Sequence, residues 1–146
     1  MAMNQDGMTV SETNEAVVRG YYQAINNGDL RALDTLVSPG FVHHTRGMPA
    51  GLPPYKHILL MFRRGFPDIH NHIDALIVAD DLVTARTTTS GTHQGTFLGH
   101  APTGKQFEAN GIDIFRLHEG RIVERWGVFD TITMLQQLGL YTPSAA

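Results

Sequence analysis

The sequence predicts an α+β fold in which helices gather on one face of an antiparallel sheet. Two observations carry this. The hydrophobic period is helical as far as Pro67 and then becomes two for about sixty residues punctuated by turn signals, before one short helical stretch closes the chain. The 146 residues, 42% hydrophobic and 17% charged, suffice for one core but not for two full domains. A single domain is expected over residues 11–142, with residues 1–10 and 143–146 as flexible tails.

From Ser11, the residues Val17, Val18, Tyr21, Tyr22 and Ile25 recur at helical spacing, with Glu12 and Glu15 in the first turn where the helix dipole favours them. Gly28 stops this helix. Asp29 suits the cap of a second, with Leu30, Leu33, Leu36 and Val37 as its apolar stripe and Ser38-Pro39-Gly40 as its close. Phe41-Val42-His43-His44-Thr45 is a short β-prone run. Pro53 and Pro54 fit the first turn of a third helix with Tyr55, Ile58, Leu59 and Phe62 inward, ending at 65–67. Strands follow over residues 69–79, 82–94, 106–117 and 121–129, with turns at Asp80-Asp81 and Glu119-Gly120 and a longer loop over 95–104. On the first of these, Ile69, Ile73, Ala75 and Ile77 are expected inward. Asp130 then caps a closing helix with Ile132, Leu135 and Leu138 inside and Gly139 at its end.

Composition narrows the chemistry. Eleven Lys and Arg against fourteen Asp and Glu, a net charge of −3, leave no electrostatic footprint for nucleic acid or an anionic bilayer. The absence of cysteine removes disulfides, thiolate metal sites and thiol nucleophiles. The opening MAMNQDGMTV lacks the charged and apolar regions of a signal peptide, so a cytoplasmic protein is expected, with no membrane partner.

One residue breaks its pattern. Alternation along 106–117 places Phe107, Ala109, Gly111, Asp113, Phe115 and Leu117 on one face, an apolar row interrupted by a single carboxylate. Desolvating a carboxyl disfavours its charged form unless a cation or several donors compensate, which is how a general acid or base working near neutral pH is made. A buried Asp tied to Arg or to backbone groups is the plainer alternative. Gly111 argues against it by leaving room beside the carboxylate. The opposite face carries Ile112 and Ile114, which suit a two-fold homodimer through the back of the sheet.

Four segments in one order, Gly91-Thr92-His93-Gln94-Gly95, the loop from Phe97-Leu98-Gly99-His100 to Lys105, the strand GIDIFR and the strand IVERWGVFD, give the chain its family likeness. It resembles the SnoaL-like polyketide cyclases of the NTF2-like superfamily, from the first helix to Leu140. The resemblance implies a cone-shaped α+β barrel enclosing one deep pocket, usually in a homodimer. It also implies a cofactor-independent acid/base aldol closure of a carbonyl-rich, apolar small molecule, with Asp113 as the acid/base and no metal. A limonene-type epoxide hydrolase would need an Arg and a second Asp where this chain has Gly111 and Gly127. A ketosteroid isomerase would need a carboxylate in the segment that here reads Phe41-Val42-His43-His44. Some cyclases carry His where this chain has Arg125, a permanent cation that favours the charged carboxylate if the two share the pocket.

The remaining candidates are weighed residue by residue. His93, on the face of Val83, Ala85 and Gly91, is a second catalytic candidate that would polarise a carbonyl or pass a proton to Asp113; a His bonded to loop backbone is the alternative. His43 and His44 point to opposite faces, so at most one lines the pocket; parity leaves the choice open, with His44 preferred. Tyr22, Phe62, Phe115, Arg125 and Trp126 complete the substrate-contact candidates. Only one of Arg125 and Trp126 should point inward, and Trp126 also suits the core or an interface. His70 and His72 share a strand face, where a solvated edge is expected rather than a metal. The alternative to an enzyme is a non-catalytic NTF2-like module that binds a small hydrophobic ligand, with Asp113 anchoring a polar group.

Overall fold

The computed structural model describes residues 7–144, so of the expected tails, 1–10 and 143–146, residues 1–6 and 145–146 lie outside the described residues. Helix α1 spans Val10–Asn27, one residue earlier than the pattern suggests, because Thr9 caps it by accepting the Glu12 N–H at 3.1 Å. Gly28 closes it at φ 71°, a left-handed conformation that glycine adopts without a Cβ clash. Asp29 accepts the Ala32 N–H and opens a tight turn, Leu30–Ala32, that runs into α2, Leu33–Leu36. The chain then departs from expectation. Val37 begins strand β1, Val37–His43, so Ser38-Pro39-Gly40 lie within a strand rather than closing a helix. Pro39 offers no N–H for a regular ladder, and the pairing register breaks between Val37 and Val42.

Helix α3, Leu52–Gly65, carries both prolines in its first turn. Strands β2 (His70–Ala79), β3 (Leu82–Thr92), β4 (Gln106–His118) and β5 (Arg121–Phe129) follow, and α4, Thr131–Gln137, ends the described elements. The sheet order is β1-β5-β4-β3-β2. β2 to β5 are antiparallel neighbours, but β1 runs parallel to β5, so the curved, unclosed sheet is mixed rather than wholly antiparallel. A parallel pair needs a long crossover, and residues 44–120 provide it.

Two inward rows need correction. In β2 the register slips between Ile73 and Ala75, leaving Asp74 as the extra residue. A one-residue slip exchanges the faces, so Leu76 and Val78 pack on the core while Ile77, expected inward, is 65% exposed. In α4 and at its C-cap, Met134 and Leu138 are buried and Leu135 is partly so, whereas Ile132 faces out.

The core has two parts on the same side of the sheet. One gathers Val18, Tyr21 and Tyr22 of α1 against Val83, Ala85, Phe115, Leu117 and Ile122. The other gathers Phe66, Phe97, Phe107, Ala109, Met134 and Leu138. Phe97 comes from the β3–β4 loop and is fully buried, contributing roughly 1.5–3 kcal/mol by apolar burial. That loop is fastened where the N–H groups of Gln94 and Gly95 reach the Gly65 carbonyl at the end of α3. Among the described residues no helix is long and apolar enough to cross a membrane.

Candidate functional site

β4 carries Asp113 inward with Phe107, Ala109, Phe115 and Leu117, all buried, as alternation requires. Ala85 of β3 and Gly127 of β5 flank it in the sheet. The cation that meets it is Arg125, which stands opposite Phe115, not opposite Asp113. Its side chain therefore runs along β5, across position 127, to place Nη2 at 2.6 Å from Asp113 Oδ1. This path requires glycine: a Cβ on Gly127 would lie 2.5 Å from both Arg125 Nη2 and Asp113 Oδ1. The other carboxylate oxygen, Oδ2, accepts the Tyr22 hydroxyl from α1. Tyr21 and Tyr55 join their hydroxyls beside this pair, and the Arg125 guanidinium lies 5.4 Å over the Tyr55 ring.

These groups form one end of a cavity of about 310 Å³ between the two parts of the core. Apolar walls come from Ile25, Ile58, Leu59 and Phe62 on the helices and from Ile69, Phe107 and Phe129 on the sheet side. Asn71, Thr87 and Thr89 add a polar strip, tied together where Thr89 donates to Asn71 Oδ1 at 2.8 Å. Gly111 lines the cavity beside Asp113 in tight surroundings: a Cβ there would press on the Val128 carbonyl at 3.2 Å and on Thr87 Oγ1 at 3.3 Å.

Electrostatically the three phenols are hydrogen-bond donors, not acids. Burial, then the neighbouring Asp113 charge, pushes the Tyr22 hydroxyl far above the ordinary tyrosine range. Burial raises Tyr21 and Tyr55 in the same direction. Burial works against the charge of Arg125, but Tyr55, Tyr21 and Asp113 around it outweigh that effect and hold it protonated.

The sequence candidates divide on this geometry. Asp113, Tyr22, Phe62 and Arg125 all line the cavity. Phe115 does not; it is fully buried beneath Tyr21 and Tyr22, with edge-to-face contacts to both. Trp126 faces the other side of the sheet, stacked on His44 at 4.9 Å with Arg116 over its ring, so Arg125 is the inward member of that pair. His44 is correspondingly outside, where Nε2 meets Glu124 at 2.6 Å. The preference for His44 over His43 therefore fails: His43 is the inward one, buried against Phe41 and Tyr55 and bonded to the Pro49 carbonyl, but neither histidine lines the cavity. His93 is not brought to Asp113. It lies beyond the end of β3, roughly 26 Å along an extended strand from Ala85, the residue opposite Asp113. It is fully buried, accepts the Thr103 N–H and packs on Phe66. His70 and His72 are exposed, and among the described residues no group of three or more His, Asp or Glu is placed to hold a metal.

Several contributors, among them Asn71, Thr87, Thr89 and Gly127, were not site candidates from the sequence. Asn71 shares the parity of Ile69 and Ile73, and Thr87 and Thr89 share that of Val83 and Ala85, so alternation alone places them inward. Gly127 carries its own signal, since a glycine inside a strand often marks a close approach of other groups.

The SnoaL-like polyketide cyclase profile matches residues 15–138, and the chain belongs to that family. Among solved structures it is similar to TsrD from Streptomyces laurentii, at TM-score 0.84 and 26% identity over 91% of this chain and 99% of that one. It is also similar to IdmH from Streptomyces antibioticus, a candidate polyketide cyclase, at TM-score 0.77 and 33% identity over 86% and 98% of the two chains. A candidate polyketide cyclase from Bacillus cereus matches at TM-score 0.80 and 30% identity over 96% and 87%. These likenesses confirm the NTF2-like cone fold. No curated protein sequence is significantly similar to the chain.

The floor under the ion pair yields a test. Gly127→Ala forces Arg125 and Asp113 apart or the strand aside, and overpacking of this kind costs about 1–3 kcal/mol. Denaturant unfolding should register that loss, while Gly40→Ala, where a Cβ meets nothing within 4 Å, should change stability by less than about 0.5 kcal/mol.

Proposed function

We propose that the cavity is the active site of a polyketide cyclase-like enzyme that closes a ring in a carbonyl-rich, largely apolar small molecule by an intramolecular aldol reaction. The observation that carries this reading is the Asp113 carboxylate at the wall of a largely apolar cavity that Gly111 also lines. A carbon between carbonyls, set beside Asp113 in the cavity, gives its proton to Asp113, and the C–H electron pair becomes an enolate. The enolate carbon attacks a second carbonyl carbon of the same molecule, and the new alkoxide takes the proton back from Asp113. The walls fold the two reacting carbons together, which supplies much of the rate. The Tyr22 hydroxyl is committed to Asp113, and in the Tyr21–Tyr55 pair the hydroxyl that accepts keeps its own hydrogen, suited to donate to an oxygen on which charge develops. This sequence of proton transfers needs no cofactor.

A second reading is favoured by one specific feature. Both Asp113 oxygens already have protein partners, Arg125 and Tyr22, as expected of a group that only anchors a ligand in a binding module. Turnover separates the two. Asp113→Asn should lower the rate of ring closure of a poly-β-carbonyl substrate by about 10²–10⁴-fold, measured below the variant's own melting temperature. Tyr22→Phe should cost about tenfold. Equal turnover by Asp113→Asn removes Asp113 from the mechanism, and no turnover by the wild type on any such substrate leaves the binding module.

We also propose a homodimer through the outer face of the sheet. Ile112 and Val128, 46% and 73% exposed, pair directly across β4 and β5, and Ile114 pairs with Trp126 beside them. Ile112→Lys would bury an unpaired charge at that contact. Sedimentation should show it as a monomer, and an unchanged dimer would place the interface elsewhere.

A further inference from the structure

The charges lining the cavity do not balance. Asp113 is answered by Arg125, but Arg63 of α3 also lines the cavity, and no carboxylate lies within ion-pair distance of it among the described residues. Its guanidinium is held nonetheless. Nη1 donates to the carbonyls of Ile25 and Asn26 at the end of α1, each at 3.3 Å. The head lies over Gly28, where a Cβ would come within 2.6 Å of Nε and 2.7 Å of Cζ. Gly28 thus serves two purposes: it ends α1, and it leaves a flat seat for a cation.

Capping α1 occupies only one of the three nitrogens. The helix end offsets at most about half a unit of charge. Nε–H and the Nη2 hydrogens have no protein acceptor among the described residues. That edge of a guanidinium is the fork that takes a carboxylate through two parallel hydrogen bonds. Ile25, Phe62 and Ile69, which line the same cavity, are apolar, and the amide of Asn71 is already engaged by Asn26 and Thr89.

We propose that Arg63 is the anion anchor of this cavity, and that the substrate is an apolar, carbonyl-bearing molecule with a free carboxylate, held at Arg63 while its reacting carbon meets Asp113. The proposal rests on the acid/base reading for the second half of that sentence only. Carboxylate recognition stands on Arg63 and Gly28 and is tested without turnover.

The probes are 2-naphthoate and methyl 2-naphthoate, close in shape and different in charge, titrated calorimetrically into the wild type, Arg63→Gln, Arg63→Lys and Asp113→Asn. The wild type should bind the acid about ten- to a hundredfold more tightly than the ester. Arg63→Gln should lower that preference sharply while keeping ester affinity, Arg63→Lys should keep part of it, and Asp113→Asn, which frees the Arg125 cation in the same cavity, should not lower it. Equal binding of acid and ester by the wild type, or binding of neither at millimolar concentration, overturns the proposal. So does a loss in Arg63→Gln that falls on acid and ester alike, because Arg63 would then be a helix cap alone. Should losing the cap unfold Arg63→Gln, Arg63→Lys decides: a reduced preference supports the anchor and an unchanged one refutes the fork. Because Asp113→Asn is scored for binding here and for turnover separately, failure of the anchor and failure of the acid/base reading give different results.

Discussion

A carboxylate on the inner row of a sheet is tolerated only if its charge is answered there, and in this chain the answer comes from Arg125 two residues out of register. Breaking a buried pair costs several kcal/mol because the survivor is left uncompensated. The pair therefore constrains its surroundings. Position 127 must lack a side chain, α1 must present Tyr22 at the second oxygen, and Tyr55 must offer its ring to the guanidinium. These come from a strand, the first helix and the third helix, so one polar contact fixes how three elements meet.

The same contact leaves the cavity open. Between Phe107 and Phe115 the inward row of β4 carries only Ala109, Gly111 and Asp113, a low stretch in the floor, while the space at Gly127 is taken by the Arg125 side chain. The helices cannot collapse onto that stretch, since Tyr21, Tyr22 and Tyr55 stand on the polar cluster with their hydroxyls satisfied. Two core clusters result, one on each side of the opening, in place of a single continuous core. The fold so trades some apolar burial for a concave space with a charged wall, as a small-molecule site requires.

Much of this was legible in the chain. Strand alternation isolated Asp113 among apolar residues, the parity argument allowed only one of Arg125 and Trp126 inward, and helical spacing gave Tyr22 and Phe62 their direction. What failed did so where a local rule met a tertiary event. The Asp74 bulge reversed the faces of β2 after Ile73, and no residue pattern announces a bulge placed by partner-strand register. β1 has too few residues and too irregular a register for parity to choose between His43 and His44. Phe115 lies on the expected face but one layer below the opening, a depth that alternation does not encode. His93 shares a face with the site and not a position along it. Arg63 was unreadable, because its meaning depends on Gly28, thirty-five residues away in sequence and in contact only once α1 and α3 are packed.

The central claim is that Asp113 and Arg125 act as one buried unit around which the site is built, with side chains only 12% and 17% exposed. A double-mutant cycle on stability addresses it directly, using Asp113→Asn, Arg125→Met and the combination, each followed by denaturant unfolding. Each single change should cost about 3–5 kcal/mol by stranding its partner. The double variant should fall well short of the sum, by at least about 1 kcal/mol. Additivity to within about 0.5 kcal/mol would mean that the two side chains do not depend on each other, and would contradict the account.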